Sequence, residues 1–343
     1  MDALHIPAPR IPTEAEKERA YVVLGFDVRS DTVTLPSARM QAAMASAVCG
    51  DDMYGTDGPT NELQTLMAQL TGKEAALFMA SGTQSNQLAL HLHVSHGAFP
   101  PGVLCDHRAH VHACELGGLA FHSRATVQPV VPAHAPYLTL PDVAAHAQVE
   151  PGSMAARTCV ISLENTLHGT IQPLEEIERI AAYARARHIR MHLDGARLWH
   201  AVVESGLPLA RWCAPFDTVS LCFSKGLGAP IGSILVGTRA LIQEARCLRK
   251  AFGGGMRQTG VLAAAAHVAL HDHLPLLRAT HALARRVADE MQACGVRITA
   301  PVDTNVVMYD LAAAGWDPAE AVLRASALDP PILLGRRHQC IVA

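Results

Sequence analysis

Lysine is scarce in this chain, with four residues, at positions 17, 73, 225 and 250, among 28 Lys and Arg together. Aromatic side chains make up only 4%. Neither sign of charge is in excess. A formal net charge of -3, from 28 basic and 31 acidic residues interspersed along the sequence, provides no basic stripe for a nucleic-acid backbone and no acidic tail. Nucleic acids and membrane surfaces are therefore not expected as partners. Long hydrophobic runs are missing too: Gly260 to Leu270 (GVLAAAAHVAL) falls well short of the ~20 residues a bilayer span requires. The opening MDALHIPAPRIPTEAEKERA places prolines and charges where a secretory signal needs an apolar core, so residues 1–26 read as a flexible leader and the chain as cytoplasmic. Nine cysteines without a CxxC or a regular spacing point to reduced thiols rather than a disulfide framework. Internal repeats and low-complexity tracts are absent.

The 343 residues are half hydrophobic, enough for one large core and a smaller one. Short β-branched or apolar runs alternate with helical patterns through the middle of the chain, the signature of βαβ units and a mostly parallel sheet in an α/β fold. Three strands stand out. Thr158 to Leu163 precedes Glu164 and Asn165, Ile189 to Leu193 precedes Asp194, and Thr218 to Phe223 precedes Ser224 and Lys225. Leu174 to Arg187, acidic in its first turn and arginine-bearing in its last, is the crossover helix between the first two. Ile231 to Gly237 follows Pro230 too closely for a helix to intervene, which favours an antiparallel entry. Helices are expected over Arg239 to Ala251, Gln258 to His271 and Leu277 to Ala293, then a strand over Thr304 to Asp310. The expected organisation is a large α/β domain over residues 27–272 and a small α+β domain over 273–343.

Each of the three strands ends in polar or ionisable groups, and open parallel sheets bind ligands at the carboxyl ends of their strands. The segment SLCFSKGLGAP puts one of the few lysines there, next to an apolar run. Burying an ammonium is costly unless it is paired or neutralised, so Lys225 is either exposed or chemically used. Upstream, Ala80 to Asn86 (ASGTQSN) gathers N–H groups and hydroxyls at a helix start, equally compatible with a plain N-cap or an anion site. Asp194 and Arg197 in HLDGAR read, taken alone, as a cap and a first-turn arginine. Together, a phosphate-binding turn, a strand-end carboxylate and a strand-end lysine are the parts a pyridoxal phosphate site requires. The histidine clump His107, His110, His112 and His122 has no thiolate or carboxylate at a known ligand spacing, and no metal is expected.

Ordered motifs then carry a resemblance: Val28 to Thr34 (VRSDTVT), Gly50 to Gly55 (GDDMYG), Gly72 to Ala76 (GKEAA), Ser81 to Asn86, Ser162 to Thr166 (SLENT), Asp194 to Arg197 (DGAR), Ser224 to Gly226 and Gly253 to Gln258 (GGGMRQ). The chain resembles the low-specificity L-threonine aldolases, pyridoxal-phosphate enzymes of the aspartate-aminotransferase-like fold (fold type I). The resemblance implies that Lys225 attaches the cofactor covalently and Asp194 pairs with its ring nitrogen. Gly82, Thr83 and Arg257, the last from a neighbouring subunit, would bind phosphate. Ser30 and Arg197 would hold the substrate carboxylate, and His110 would stack on the ring or act as the base. Tyr54 and Asn165 would line the same site, and Gly226 and Gly228 would leave room for the cofactor. It also implies a small amino-acid substrate and a homotetramer built from dimers with active sites at the interface.

On this reading a β-hydroxy-α-amino acid loses its aldehyde and leaves glycine, with His110 taking the hydroxyl proton. Two positions depart from the family pattern. Met154 stands where many members have a second histidine, and the chain stops soon after Arg336 and Arg337, the candidates for a second carboxylate-binding arginine. Both concern the substrate rather than the cofactor. An alanine racemase of the same family, which needs no grip on a β-hydroxyl, is the alternative enzyme, and an inactive partner subunit is the non-enzymatic one.

Overall fold

The computed structural model describes residues 10, 12–24, 26–97, 99–150, 154–335 and 339–342. Seven strands form the main sheet: β1 Ala75–Met79, β2 Pro101–Asp106, β3 Thr126–Val130, β4 Arg157–Glu164, β5 Arg190–Gly195, β6 Thr218–Cys222 and β7 Ser233–Gly237. Their order is β1-β7-β6-β5-β4-β2-β3. β3, β2, β4, β5 and β6 run parallel, whereas β7 enters antiparallel between β6 and β1. The short connection from Phe223 to Gly232 cannot hold a crossover helix, so the strand reverses direction, as its sequence spacing suggests. A second sheet, antiparallel throughout, follows with β8 Arg297–Ile298, β9 Val306–Asp310 and β10 Gln339–Ile341 in the order β10-β9-β8. The chain is an α/β protein with a mostly parallel main sheet.

Parallel strands covered on both faces read as continuous apolar runs, and β2 and β6 are buried along their whole length. The helix Leu174–Ala186 between β4 and β5 packs Leu174, Ile177, Ile180, Ala181 and Ala184 onto the main core. That i, i+3, i+4, i+7 stripe is the amphipathic signature that marks it in the sequence. The helix Gly82–Ser95 is different: Leu88, Ala89, Leu90 and Leu92 are buried, but so are Ser85, Asn86, Gln87 and His93. Two of these polar groups find partners on the sheet: Asn86 reaches Asp194 at the carboxyl end of β5, and His93 meets Thr218 at the start of β6.

The segment expected as a flexible leader contains the helix Glu14–Leu24. Its start is capped by Thr13 and Glu16, whose side chains exchange bonds with the first turn: Thr13 N–H donates to Glu16 Oε2 at 2.8 Å and Glu16 N–H to Thr13 Oγ1 at 3.3 Å. Among the described residues no helix is long and apolar enough to cross a membrane. No disulfide joins any of the nine cysteines.

Candidate active site

Register brings the strand ends together. Glu164 on β4 pairs with Asp194 on β5, and Asp194 with Ser220 on β6, so the chain leaving β6 carries Lys225 past two neighbouring carboxylates. The loop that holds Lys225 is anchored. Trp199 Nε1 donates to the Cys222 carbonyl at 2.8 Å, and the Phe223 and Ala229 N–H groups bond to Gly232 O and Phe223 O at 2.9 and 3.1 Å. Gly226 and Gly228 turn through the left-handed region, at φ 67° and 74°. The expectation that these glycines clear space for a bound group needs correcting at Gly226. A Cβ there would stand 2.5 Å from His200 Nε2, so the space beside it is taken by a buried imidazole. Lys225 itself is partly exposed, and its amine has no hydrogen-bond partner among the described residues.

Asp194 is buried, and both its oxygens are used. Oδ1 accepts the Ala196 N–H at 3.0 Å, and Oδ2 accepts Asn86 Nδ2 at 2.7 Å. Asn86 Nδ2 also donates to Glu115 Oε1 at 3.0 Å. Glu115, also buried, receives Gln87 Nε2 on its other oxygen and contacts His110 Nδ1 at 2.8 Å. The His110 backbone N–H donates to Glu164 Oε2 at 2.7 Å. His110 is therefore held from both ends, by Glu164 through its main chain and by Glu115 through its ring. The bond to Glu115 raises the imidazole pKa; burial opposes this, Asp194 adds to it, and Lys225 pulls the other way. The carboxyl of Glu164 is pushed well above the usual range, first by burial and then by Asp194 beside it. The Lys225 charge lowers the pKa of both groups, as the smallest of the named influences on each.

The helix Gly82–Ser95 starts against the same strand end: a Cβ on Gly82 would lie 2.9 Å from Cys222 Sγ. Ser81 caps it by accepting the Gln84 N–H at 3.1 Å, which leaves the Gly82 and Thr83 N–H groups without intrahelical partners at the positive end of the helix dipole. Both readings of ASGTQSN thus describe the same turn, since a capped helix start is also an anion-binding end.

Arg197 stands at the start of the helix Leu198–Ser205, and its fork is already engaged. Nε and Nη2 bond to Asp31 Oδ2 and Oδ1 at 2.8 and 2.6 Å. A substrate carboxylate could not take that edge while Asp31 holds it, leaving Nη1 for the role expected of the arginine. Ser30, next to Asp31, is half-buried and its Oγ accepts Thr32 Oγ1 at 2.9 Å. Asn165 is spent locally: its amide bonds to the Gln172 backbone in both directions, at 3.2 and 3.1 Å. Tyr54 is exposed, and Arg257 pairs with Asp51 at 3.2 Å; neither has a hydrogen bond to Lys225, Asp194, Gly82 or Thr83. They do share one surface, because the Asp52 N–H donates to the Arg257 carbonyl at 2.9 Å. Met154 is fully exposed. Arg336 and Arg337 lie outside the described residues.

The histidine clump does not converge on one point. His107 contacts Asp106 at 3.2 Å, and His122 stacks on Phe252 at 5.0 Å. His110, Glu115 and Asp194 bring ligand atoms within 4.8 Å of one another, but Asn86 already donates into the two carboxylates. Sequence reasoning passed over Glu115, Asn86 as a bridge, and Asp31 as the arginine's partner. No spacing rule marks the first, since Glu115 stands five residues beyond His110 and outside the short helix His110–Ala113.

The donor set matches pyridoxal phosphate: an amine for its aldehyde, a buried carboxylate for its ring nitrogen, free N–H groups for its phosphate and an imidazole beside them. The low-specificity L-threonine aldolase of Saccharomyces cerevisiae is 43% identical over 94% of this chain and 84% of its own length. An alanine racemase of Cochliobolus carbonum is 38% identical over 84% and 76%. Among solved structures, a Leishmania major threonine aldolase superposes with a TM-score of 0.72 at 24% identity, covering 83% of this chain and 84% of that one. An SPT chain solved with PLP has a TM-score of 0.66 at 17% identity, over 92% and 82%. The model of the beta-eliminating lyase family matches residues 27–314, and with these relatives it establishes that the chain belongs to that family.

Proposed function

We propose that this protein is a pyridoxal-phosphate-dependent lyase that cleaves L-threonine and L-allo-threonine into glycine and acetaldehyde. The observation that carries the reading is the meeting of three groups at the ends of β4, β5 and β6. These are an uncommitted Lys225 amine, a buried Asp194 and a His110 ring tethered by Glu115. When bound, the cofactor supplies the electron sink that lets a bond to the substrate Cα break. Lys225 is the point of attachment. Asp194 would accept the ring N–H and keep the nitrogen cationic, and the Gly82 and Thr83 N–H groups would hold the phosphate.

Arg197, through Nη1, and Ser30 receive the substrate carboxylate, which fixes the Cα–Cβ bond relative to the ring. His110 would accept the β-hydroxyl proton as the Cβ–O bond becomes a carbonyl and the Cα–Cβ bond breaks, with the bound cofactor available to take that electron pair; protonation at Cα would then release glycine. Tyr54 and Arg257, on a shared exposed surface, serve the site of a second copy of the chain, in line with an assembly of dimers. Location in the cytoplasm accords with the reduced thiols.

The 38% identical racemase favours one second reading, proton exchange at Cα without carbon–carbon cleavage. Incubation with threonine, allo-threonine and alanine in deuterated water decides between them. Aldehyde release from the hydroxy amino acids, absent in Lys225→Ala, is the expected result. Loss of alanine chirality with deuterium uptake and no aldehyde would replace the lyase reading with the racemase one.

A further inference from the structure

Behind Asp194 the buried polar groups form a continuous chain. His93 Nε2 lies 2.7 Å from Thr218 Oγ1, which lies 2.9 Å from His192 Nδ1. His192 Nε2 in turn lies 3.1 Å from Asn86 Oδ1, and the other end of that amide holds Asp194 and Glu115. Every side chain in it is buried.

The proton positions along this chain follow by elimination. Asn86 must turn its amide nitrogen to the two carboxylates, because a carbonyl oxygen cannot bond to either of them when ionised. Oδ1 therefore faces His192, which has to donate from Nε2. Burial holds the His192 ring well below the usual imidazole range, at about 3, with His93 adding to the effect, and burial lowers His93 as well. The charged groups facing the pair are Asp194 for His192, and Asp217, Arg190 and His96 for His93. A neutral His192 that donates from Nε2 must accept at Nδ1. Thr218 then gives its hydroxyl proton to His192 and accepts one from His93 Nε2. One direction of donation runs from the helix Gly82–Ser95, through β6 and β5, and back to the same helix at Asn86.

We propose that His192 is a positioning residue for the cofactor ring: backed by Thr218 and His93, it locks the Asn86 amide in the single orientation that holds Asp194 toward the ring nitrogen and Glu115 toward His110. This rests on the assignment of Asp194 to that nitrogen. Without the Nε2–H donor the amide can turn over. It would then present its oxygen to two carboxylates, which would separate, leaving the ring nitrogen without a fixed acceptor and His110 without a fixed partner.

The test combines cofactor affinity of the apo protein with proton positions in the loaded one. His192→Leu is expected to weaken pyridoxal phosphate binding by roughly 10- to 100-fold, by analogy with the loss of an outer-shell partner of a metal ligand. His192→Gln, whose amide reproduces both the donor and the acceptor, recovers most of that affinity. Selective 15N-histidine spectra of the wild-type holoenzyme should show His192 protonated at Nε2, bare at Nδ1 and unchanged from pH 6 to 8. Equal affinity in the wild type and a folded His192→Leu, or a proton on Nδ1 alone, overturns the proposal. If His192→Leu fails to fold, the spectra decide by themselves, and they do so whether or not threonine proves to be the substrate.

Discussion

Asp31 is buried with a guanidinium as its main counter-charge, and that pairing controls its ionisation. Burial alone would raise its carboxyl pKa, but Arg197 outweighs it and brings the value down to about 2, with Asn305 contributing a further bond. A depressed folded-state pKa gives stability that is complete above the unfolded value of 3.8 and is lost as pH falls toward about 2. That contribution amounts to about 2 to 3 kcal/mol, so acid unfolding monitored by circular dichroism should shift to higher pH in Asp31→Asn. At neutral pH the same variant leaves the half-buried Arg197 without its counter-charge, and a further loss of stability is expected in urea titration. His110 shows the opposite sign. Its pKa is raised chiefly by Glu115, so its base form is depleted as pH falls through a value above the ordinary imidazole range. Glu115→Gln should move the acidic limb of the kcat/KM profile to lower pH; an unmoved limb would detach that limb from His110.

At the scale of elements, the strand-to-loop junction after β6 concentrates the chemistry. Gly226 holds a left-handed backbone with His200 packed against it. Gly226→Ala adds about 1 to 3 kcal/mol of backbone strain and drives a methyl group into that imidazole, so a lower thermal midpoint and weaker cofactor retention are expected together. Most of the strands and helices around this junction were legible from periodicity: β4, β5 and β6 end where the polar residues begin, and Leu277–Ala293 appears with the bounds its pattern gives. The less legible parts have a common cause. Asn86, Glu115 and His192 lie far apart in sequence and meet only because the helix Gly82–Ser95 crosses behind β5, a tertiary placement that no local pattern encodes. Arg197, expected on the first helical turn after β5, stands at the cap of that helix, and its partner Asp31 gives no spacing signal because the two lie 166 residues apart.

For the whole molecule, the surface around Arg257 points outward from the chain. Phe121 is 82% exposed and Tyr54 80%, and the Phe121, His122 and Phe252 rings form a contiguous aromatic cluster, Phe252 standing just before the loop that carries Arg257. If that surface completes a neighbour's site, Lys225→Ala and Arg257→Ala variants should each be inactive. Unfolded and refolded as a mixture, they should regain part of the activity, because some sites then combine both intact residues. No regain would place Arg257 outside a shared site.

The central claim, that the carboxyl ends of β4, β5 and β6 form a pyridoxal phosphate site closed by Lys225, is tested most directly by borohydride reduction of the purified holoprotein followed by peptide mass mapping. The account predicts that the reduced cofactor is fixed on the peptide containing Lys225, and that the yellow colour is lost. Label on Lys17, Lys73 or Lys250 instead, or no label at all on a coloured protein, would contradict it.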